Sequence, residues 1–205
     1  MNGQRVDAQL VAASAAAQDV DVDPGVLARL AAFGDLFLRW NERVNLGGRI
    51  GPRELVEQHF ADSFAARRFV DAKSRVVDVG TGGGLPALPL ALICPEVRVD
   101  LWEPTAKKVS FLRTAVRELS LGDRVTVNSG RMDAQSVGAQ PTYDVATSRA
   151  TFSPMEWLDM GLRLVRPGGR VLVFATGERP AGCPESAASY VYRDNRQILV
   201  FTRDS

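Results

Sequence analysis

The sequence predicts an α/β fold: a mostly parallel seven-stranded sheet with helices on both faces, behind a helical N-terminal extension. Three observations predict it. The apolar period is helical through about the first 70 residues and then changes. From residue 75 to about 165, short β-branched runs alternate with helical runs, the pattern of βαβ units and a parallel sheet. Two strand-like runs then follow one another directly, adding an antiparallel edge. A chain of 205 residues, 45% of them hydrophobic, can bury one good core. We therefore expect a single domain over 1–205, with 1–72 as the extension and 73–205 as the α/β core.

Each element has its own signal. "MNGQRVDAQLVAASAAAQDVDVD" is alanine-rich and reads as an amphipathic or frayed helix; it carries acids and lacks the basic-then-apolar order of a signal peptide. Residues 24–43 place Val26, Leu27, Leu30, Phe33, Leu36, Phe37 and Trp40 at helical spacing, with Pro24 near the start. "NLGGRIGP" (45–52) breaks that pattern, and "RELVEQHFADSFAARRFV" (53–70) resumes it through Leu55, Phe60, Phe64 and Val70. Val76, Val77 and Val79 open the first strand, and a glycine cluster leads into a helix through Leu92. "EVRVDLWE" (96–103) is the second strand, "TAKKVSFLRTAVRELSL" (105–121) a helix, and "RVTVNS" (124–129) the third strand. "TYDVATS" (142–148) is the fourth, and "PMEWLDMGLRLV" (154–165) a helix stopped by "RPGG". "RVLVFATG" (170–177) is the fifth, while 187–194 and 197–204 form a closing hairpin around Asn195.

Composition narrows the function classes. No apolar run approaches the ~20 residues of a membrane span, so we expect a soluble, cytoplasmic monomer without a membrane partner. Cys94 and Cys183 lie far apart, with no metal-site spacing. The formal net charge is only +1, but residues 39–75 hold eight Lys/Arg against five Asp/Glu, whereas residues 1–38 hold two against five. Such a zone can steer a polyanion, and a solvated mixed surface explains it equally well.

The chemistry is concentrated in "RVVDVGTGGGLPALPLAL" (75–92). A phosphate-cradling P-loop needs a lysine and a hydroxyl residue after the glycines, but Leu85 and Pro86 stand there. A dinucleotide loop needs a third glycine at position 85, to let the helix pack around a pyrophosphate. The spacing is instead G-x-G-x-G, at Gly80, Gly82 and Gly84. That fits the site of a class I (Rossmann-like) methyltransferase, which holds S-adenosylmethionine and has no pyrophosphate to satisfy. The absent Cβ atoms are expected to admit the ligand, and prolines 86 and 89 lack N–H donors that no phosphate needs. Asp78 can order the loop or face the ligand's ammonium through water. Glu103, at the end of the second strand, can accept both ribose hydroxyls; capping the helix near Thr105 is its alternative role.

Several strings carry a resemblance. "NL" (45–46), "HFADS" (59–63), "DVGTGGGLPALPLAL" (78–92), "KKVSFL" (107–112), "GRMD" (130–133) and "SRATFS" (148–153) occur in order. Together they resemble the bacterial 16S rRNA guanine-N7 methyltransferases, also called the glucose-inhibited division protein B family, over about residues 26 to 177. The resemblance implies methyl transfer from S-adenosylmethionine to N7 of a guanine in 16S rRNA, within the small ribosomal subunit or an assembly intermediate. It implies that Gly80 and Leu85 line the cofactor, that Met132 and Asp133 flank its adenine, and that Arg149 lies beside cofactor and target base. The family commonly has glycine after "LP"; this chain has Ala87, with its extra glycine at 83, which predicts a small loop adjustment.

Guanine N7 offers a lone pair and carries no proton, so no catalytic base is expected, and positioning can supply ~7–11 kcal/mol of the barrier. Four further residues are candidates for the substrate side, each with a structural alternative. Arg149 contacts RNA phosphate or the cofactor, or pairs with a structural acid. His59, the only histidine, faces substrate or is a satisfied structural side chain. Asn45 reads the base or clasps the "NLGG" loop. Lys107, with Lys108, holds phosphate or lies on a solvated helix face. Trp40, Trp102 and Trp157 read as core. A methyltransferase with a small-molecule or protein substrate, a nicotinamide-dependent oxidoreductase and a non-enzymatic binding module are the competing readings.

Overall fold

The computed structural model describes residues 5–132, 142–184 and 188–204. Its sheet has seven strands: β1 (Arg75–Val79), β2 (Arg98–Glu103), β3 (Val125–Ser129), β4 (Tyr143–Ser148), β5 (Val165–Thr176), β6 (Ala188–Arg193) and β7 (Arg196–Thr202). Their order is β3-β2-β1-β4-β5-β7-β6. The first five are mutually parallel, and β7 runs antiparallel to both β5 and β6. The edge is therefore a hairpin with two antiparallel pairings rather than one. Its turn is Asp194–Asn195, both at positive φ (24° and 67°), the geometry that two-residue hairpin turns demand. β5 begins five residues earlier than the sequence suggests, because "RPGG" continues along β4 instead of forming a free loop.

Sheet residues divide by parity into two cores. Val76, Val99, Leu101, Val145, Leu172 and Ile198 join the larger one, with α2 (Pro24–Val44), α4 (Ala61–Ala66), α5 (Ala87–Ile93) and α6 (Ala106–Glu118). Val77, Val79, Ala146, Val171, Val173 and Leu199 join the other, under α7 (Pro154–Leu164). The N-terminal helices thus share the sheet's main core. Phe33, Phe37, Phe60 and Phe111 form its centre, with ring centroids 5.8–6.4 Å apart. α1 (Ala8–Ala16) is capped by Asp7 and buries Val11 and Ala15. Among the tryptophans, Trp157 is buried and donates its indole N–H to Leu172 O at 2.9 Å, whereas Trp40 and Trp102 are only partly buried.

Between α2 and α4 the helix changes pitch. A short α3 (Pro52–Glu54) passes into a π-helical segment, Leu55–Phe60, before α4 begins, and a 3-10 turn (Arg67–Phe69) closes the run. π-Segments are rare inside helices and often lie at functional sites. This one carries His59 and ends two residues before Asp62.

Candidate functional site

The strand order reverses between β1 and β4, where the connections leave toward opposite sides of the sheet. Ligands of open α/β sheets bind beyond the strand ends at that point. A cleft of about 540 Å³ opens there, within the usual range for small-molecule sites. The glycine loop after β1, the segment after β4, the end of β5, the hairpin, the π-segment and the Leu46–Gly47 loop all line it.

Hydrogen bonds to the end of β2 fix the glycine loop. Gly80 and Thr81 donate to Trp102 O at 2.9 and 3.1 Å, and Gly82 donates to Glu103 Oε2 at 2.9 Å. Glu103 Oε1 accepts from Thr105 N at 2.8 Å, so the buried carboxylate both holds the backbone entering α6 and ties down the loop. Each oxygen keeps a second lone pair for a ligand hydroxyl. Asp78, fully buried, pairs directly across the sheet with Thr147, whose hydroxyl donates to its Oδ1 at 2.8 Å.

The three glycines do not share one role. All have positive φ (68°, 57° and 77°), yet a Cβ at Gly80 would collide with Thr151, and one at Gly84 with Leu88 and Leu112. Gly83 is likewise pressed against Phe37. Only at Gly82 would a Cβ find ordinary clearance, 3.8 Å from Leu46 O. The missing Cβ thus makes room for protein neighbours at Gly80 and Gly84 and leaves open space at Gly82, while Gly80, Gly82 and Gly83 all line the cleft. Leu85 lines the cleft.

The residues present fit a cationic nucleoside ligand. Asp78 Oδ2 and Thr81 Oγ1 are buried polar atoms without a hydrogen-bond partner among the described residues. Burial pushes the Asp78 carboxyl up to about 7, against the opposing pull of its Thr147 hydrogen bond and of Arg149. In the free protein its proton therefore stabilises the fold below the ordinary carboxylate pKa, and that contribution fades as pH rises through about 7. A ligand cation reverses the preference. S-adenosylmethionine binding at pH 6.5–7 should therefore release protons, seen as a buffer-dependent heat in calorimetry. Asp78→Asn should abolish that dependence; an unchanged dependence would remove Asp78 from the ligand's surroundings.

Across the cleft, Asp62 collects three partners. Arg149 Nη1 donates to it at 2.6 Å, Tyr192 Oη at 2.7 Å and Arg196 Nη1 at 3.0 Å. His59 Nδ1 also contacts Arg149 Nη1. Burial and then Arg149 pull the His59 ring down to about 4, so it stays neutral at pH 7. Arg149 thus occupies the cleft and pairs with an acid at the same time.

The other sequence candidates fall outside this cluster. Asn45, exposed at a left-handed helix end (φ 53°), accepts from Gly48 N at 3.0 Å and so clasps its own loop. Asn41 does more there, accepting from Leu46 and Gly47. Lys107 is exposed and does not line the cleft; its neighbour Lys108 does, because the helical turn carries it to that side. Met132 is buried in the second core. Asp133 lies outside the described residues. Cys94 is buried, with its thiol pushed up to about 11 by desolvation, so it is unsuited to nucleophilic work. Thr151, Tyr192 and Arg196 carried no sequence signal of their own, beyond Thr151's place in "SRATFS".

Five parallel strands with this reversal, an antiparallel β7, a G-x-G-x-G loop after β1 and an acid closing β2 match the class I methyltransferase fold. The fold is similar to that of an O-methyltransferase family protein from Burkholderia thailandensis (TM-score 0.55, 15% identity, 88% of this chain and 71% of that one). P. horikoshii TYW2 in complex with MeSAdo is also similar (TM-score 0.52, 15% identity, 69% and 60%). Within that class, residues 26–189 match the family model described as rRNA small subunit methyltransferase G, and the chain belongs to that family. It is 36% identical over 165 residues to the Ribosomal RNA small subunit methyltransferase G of Azoarcus sp. (strain BH72), covering 80% of this chain and 76% of the relative. It is 40% identical over 156 residues to that of Roseiflexus castenholzii (74% and 65%).

Proposed function

We propose that the protein methylates N7 of one guanine in 16S rRNA, with S-adenosylmethionine as donor. The family match over residues 26–189 carries the substrate assignment, and the glycine loop with Asp78 and Glu103 is compatible with the donor. Gly82, Leu85, Asp78 and Glu103 would hold it. Met132 and Asp133 stand for its adenine by resemblance alone. When bound, S-adenosylmethionine supplies a methyl group on a sulfonium, already a good leaving group. The protein's own residues then orient and desolvate. N7 has no proton to lose, which agrees with a cleft whose only histidine is neutral and engaged with Arg149. Rate comes from alignment of the base against the methyl group, with Arg149 at the wall of the cleft.

The substrate is rRNA in the small subunit or an assembly intermediate, and the setting is cytoplasmic, with the protein acting as a monomer. Among the described residues no helix is long and apolar enough to cross a membrane. Labelled donor incubated with unmethylated 30S subunits, naked 16S rRNA or small-molecule pools tests the proposal. Label on one guanine of the rRNA is expected; label confined to a metabolite would refute it. Arg149→Ala should lower turnover by about 10²-fold, the scale of a lost positioning group, in a protein that still folds. Turnover at the wild-type rate would take Arg149 out of the site.

A further inference from the structure

Asp62 joins parts of the chain that are far apart in sequence. It sits after the π-segment, Arg149 follows β4, and Tyr192 and Arg196 belong to the C-terminal hairpin, 130 and 134 residues downstream. Its carboxylate is 1% exposed, whereas the Arg149 and Arg196 side chains are 19% and 28% exposed, and both line the cleft. One carboxylate offsets one guanidinium. Tyr192 keeps its proton, since burial and Asp62 raise its pKa, and His59 is neutral. The cluster therefore holds one positive charge in excess, at the cleft wall.

Donor geometry agrees with the charge count. A guanidinium has five N–H donors. Arg149 uses only Nη1, toward Asp62 and His59, and its Nε and Nη2 make no hydrogen bond among the described residues. Arg196 uses Nη1 and Nη2, toward Asp62 and Gln58, which leaves Nε. Two guanidiniums, braced from behind by one buried acid with donors to spare, are preorganised for an oxyanion.

We propose that Arg196 of the C-terminal hairpin, held beside Arg149 by Asp62 and Tyr192, completes an oxyanion subsite in the cleft. The subsite takes either a phosphodiester of the RNA or the carboxylate of the donor's amino-acid tail, and to that extent rests on the methyltransferase reading. The hairpin is then part of the binding machinery as well as the sheet edge.

The test compares wild type, Arg196→Lys and Arg196→Gln. An oligoribonucleotide from unmethylated 16S rRNA is titrated over a range of salt, and S-adenosylmethionine and inorganic phosphate are titrated by calorimetry. If a phosphodiester is the ligand, Arg196→Gln weakens the oligoribonucleotide about ten- to a hundredfold, the scale of a lost charged hydrogen bond. The slope of log affinity against log salt then becomes shallower by about one, and donor affinity holds. If the donor carboxylate is the ligand, the same loss appears with S-adenosylmethionine and the salt slope is unchanged. In either case Arg196→Lys lies between the other two, because it keeps the charge and loses the fork.

Both affinities within about twofold of wild type, at an unchanged melting point, overturn the proposal, and so does a loss that merely follows a lowered melting point. If Arg196→Gln does not fold, Arg196→Lys decides: reduced affinity at the wild-type melting point supports the subsite, and wild-type affinity refutes it. Failure of 30S subunits to accept methyl counts against the substrate reading alone, since the phosphate and donor titrations need no turnover.

Discussion

Gly82→Asp should fold and yet lose S-adenosylmethionine binding by at least about two orders of magnitude. The residue has φ 57°, a left-handed conformation that Asp tolerates better than most side chains. Its Cβ would stand 3.8 Å from Leu46 O and 3.9 Å from Gly80 O, so the protein itself has room. The added carboxylate would instead fill the cleft, close to Glu103, whose Oε2 accepts from Gly82 N. Gly84→Asp should behave in the opposite way. Its Cβ would overlap Leu88 and Leu112 in the main core, and overpacking of that kind costs about 1–3 kcal/mol even before a charge is buried. Calorimetry and urea unfolding separate the two variants. Wild-type donor affinity in Gly82→Asp would show that the ligand lies elsewhere.

Asp62→Ala should be the most destabilising single change around the cleft. Removing one partner of a buried ion pair costs about 3–5 kcal/mol, because the charges left behind cannot be hydrated fully. Here two guanidiniums and the Tyr192 hydroxyl lose their shared acceptor together. For a chain of this size that corresponds to a melting point lower by roughly 6–20 °C. Tyr192→Phe removes one hydrogen bond and leaves the ion pairs, so it should cost only about 1–2 kcal/mol. Near-equal melting points for Asp62→Ala and wild type would mean that the cluster is not the brace the distances suggest.

The sheet was legible in the sequence because strand and helix periods alternate cleanly, and because β1 and β2 carry their acids at the strand ends. The glycine spacing argued against a P-loop, in agreement with the methyltransferase family match. What each glycine faces could not be read, since Thr151 and Phe37 reach the loop from segments about 70 and 45 residues away. The change to π pitch was equally hidden: "RELVEQHF" reads as an ordinary amphipathic helix, and local sequence gives no sign of the altered register. Tyr192 and Arg196 escaped for the same reason, and Asp62 was visible only as part of "HFADS", without its partners. An acid on a helix and an arginine at a hairpin are common surface residues, and only tertiary closure makes them a buried set. Lys108 rather than Lys107 reaches the cleft because one helical step turns a side chain by ~100°, a distinction that adjacency in sequence conceals.

The crossed order of the sheet also bears on how the molecule is made. Arg196 is made 134 residues after Asp62, so the carboxylate stays in water until the hairpin arrives. Contacts of such long sequence separation form late. A chain interrupted before the hairpin would own the glycine loop and all five parallel strands, yet its pocket wall would be open on one side. Closure of the pocket is thereby tied to the hairpin.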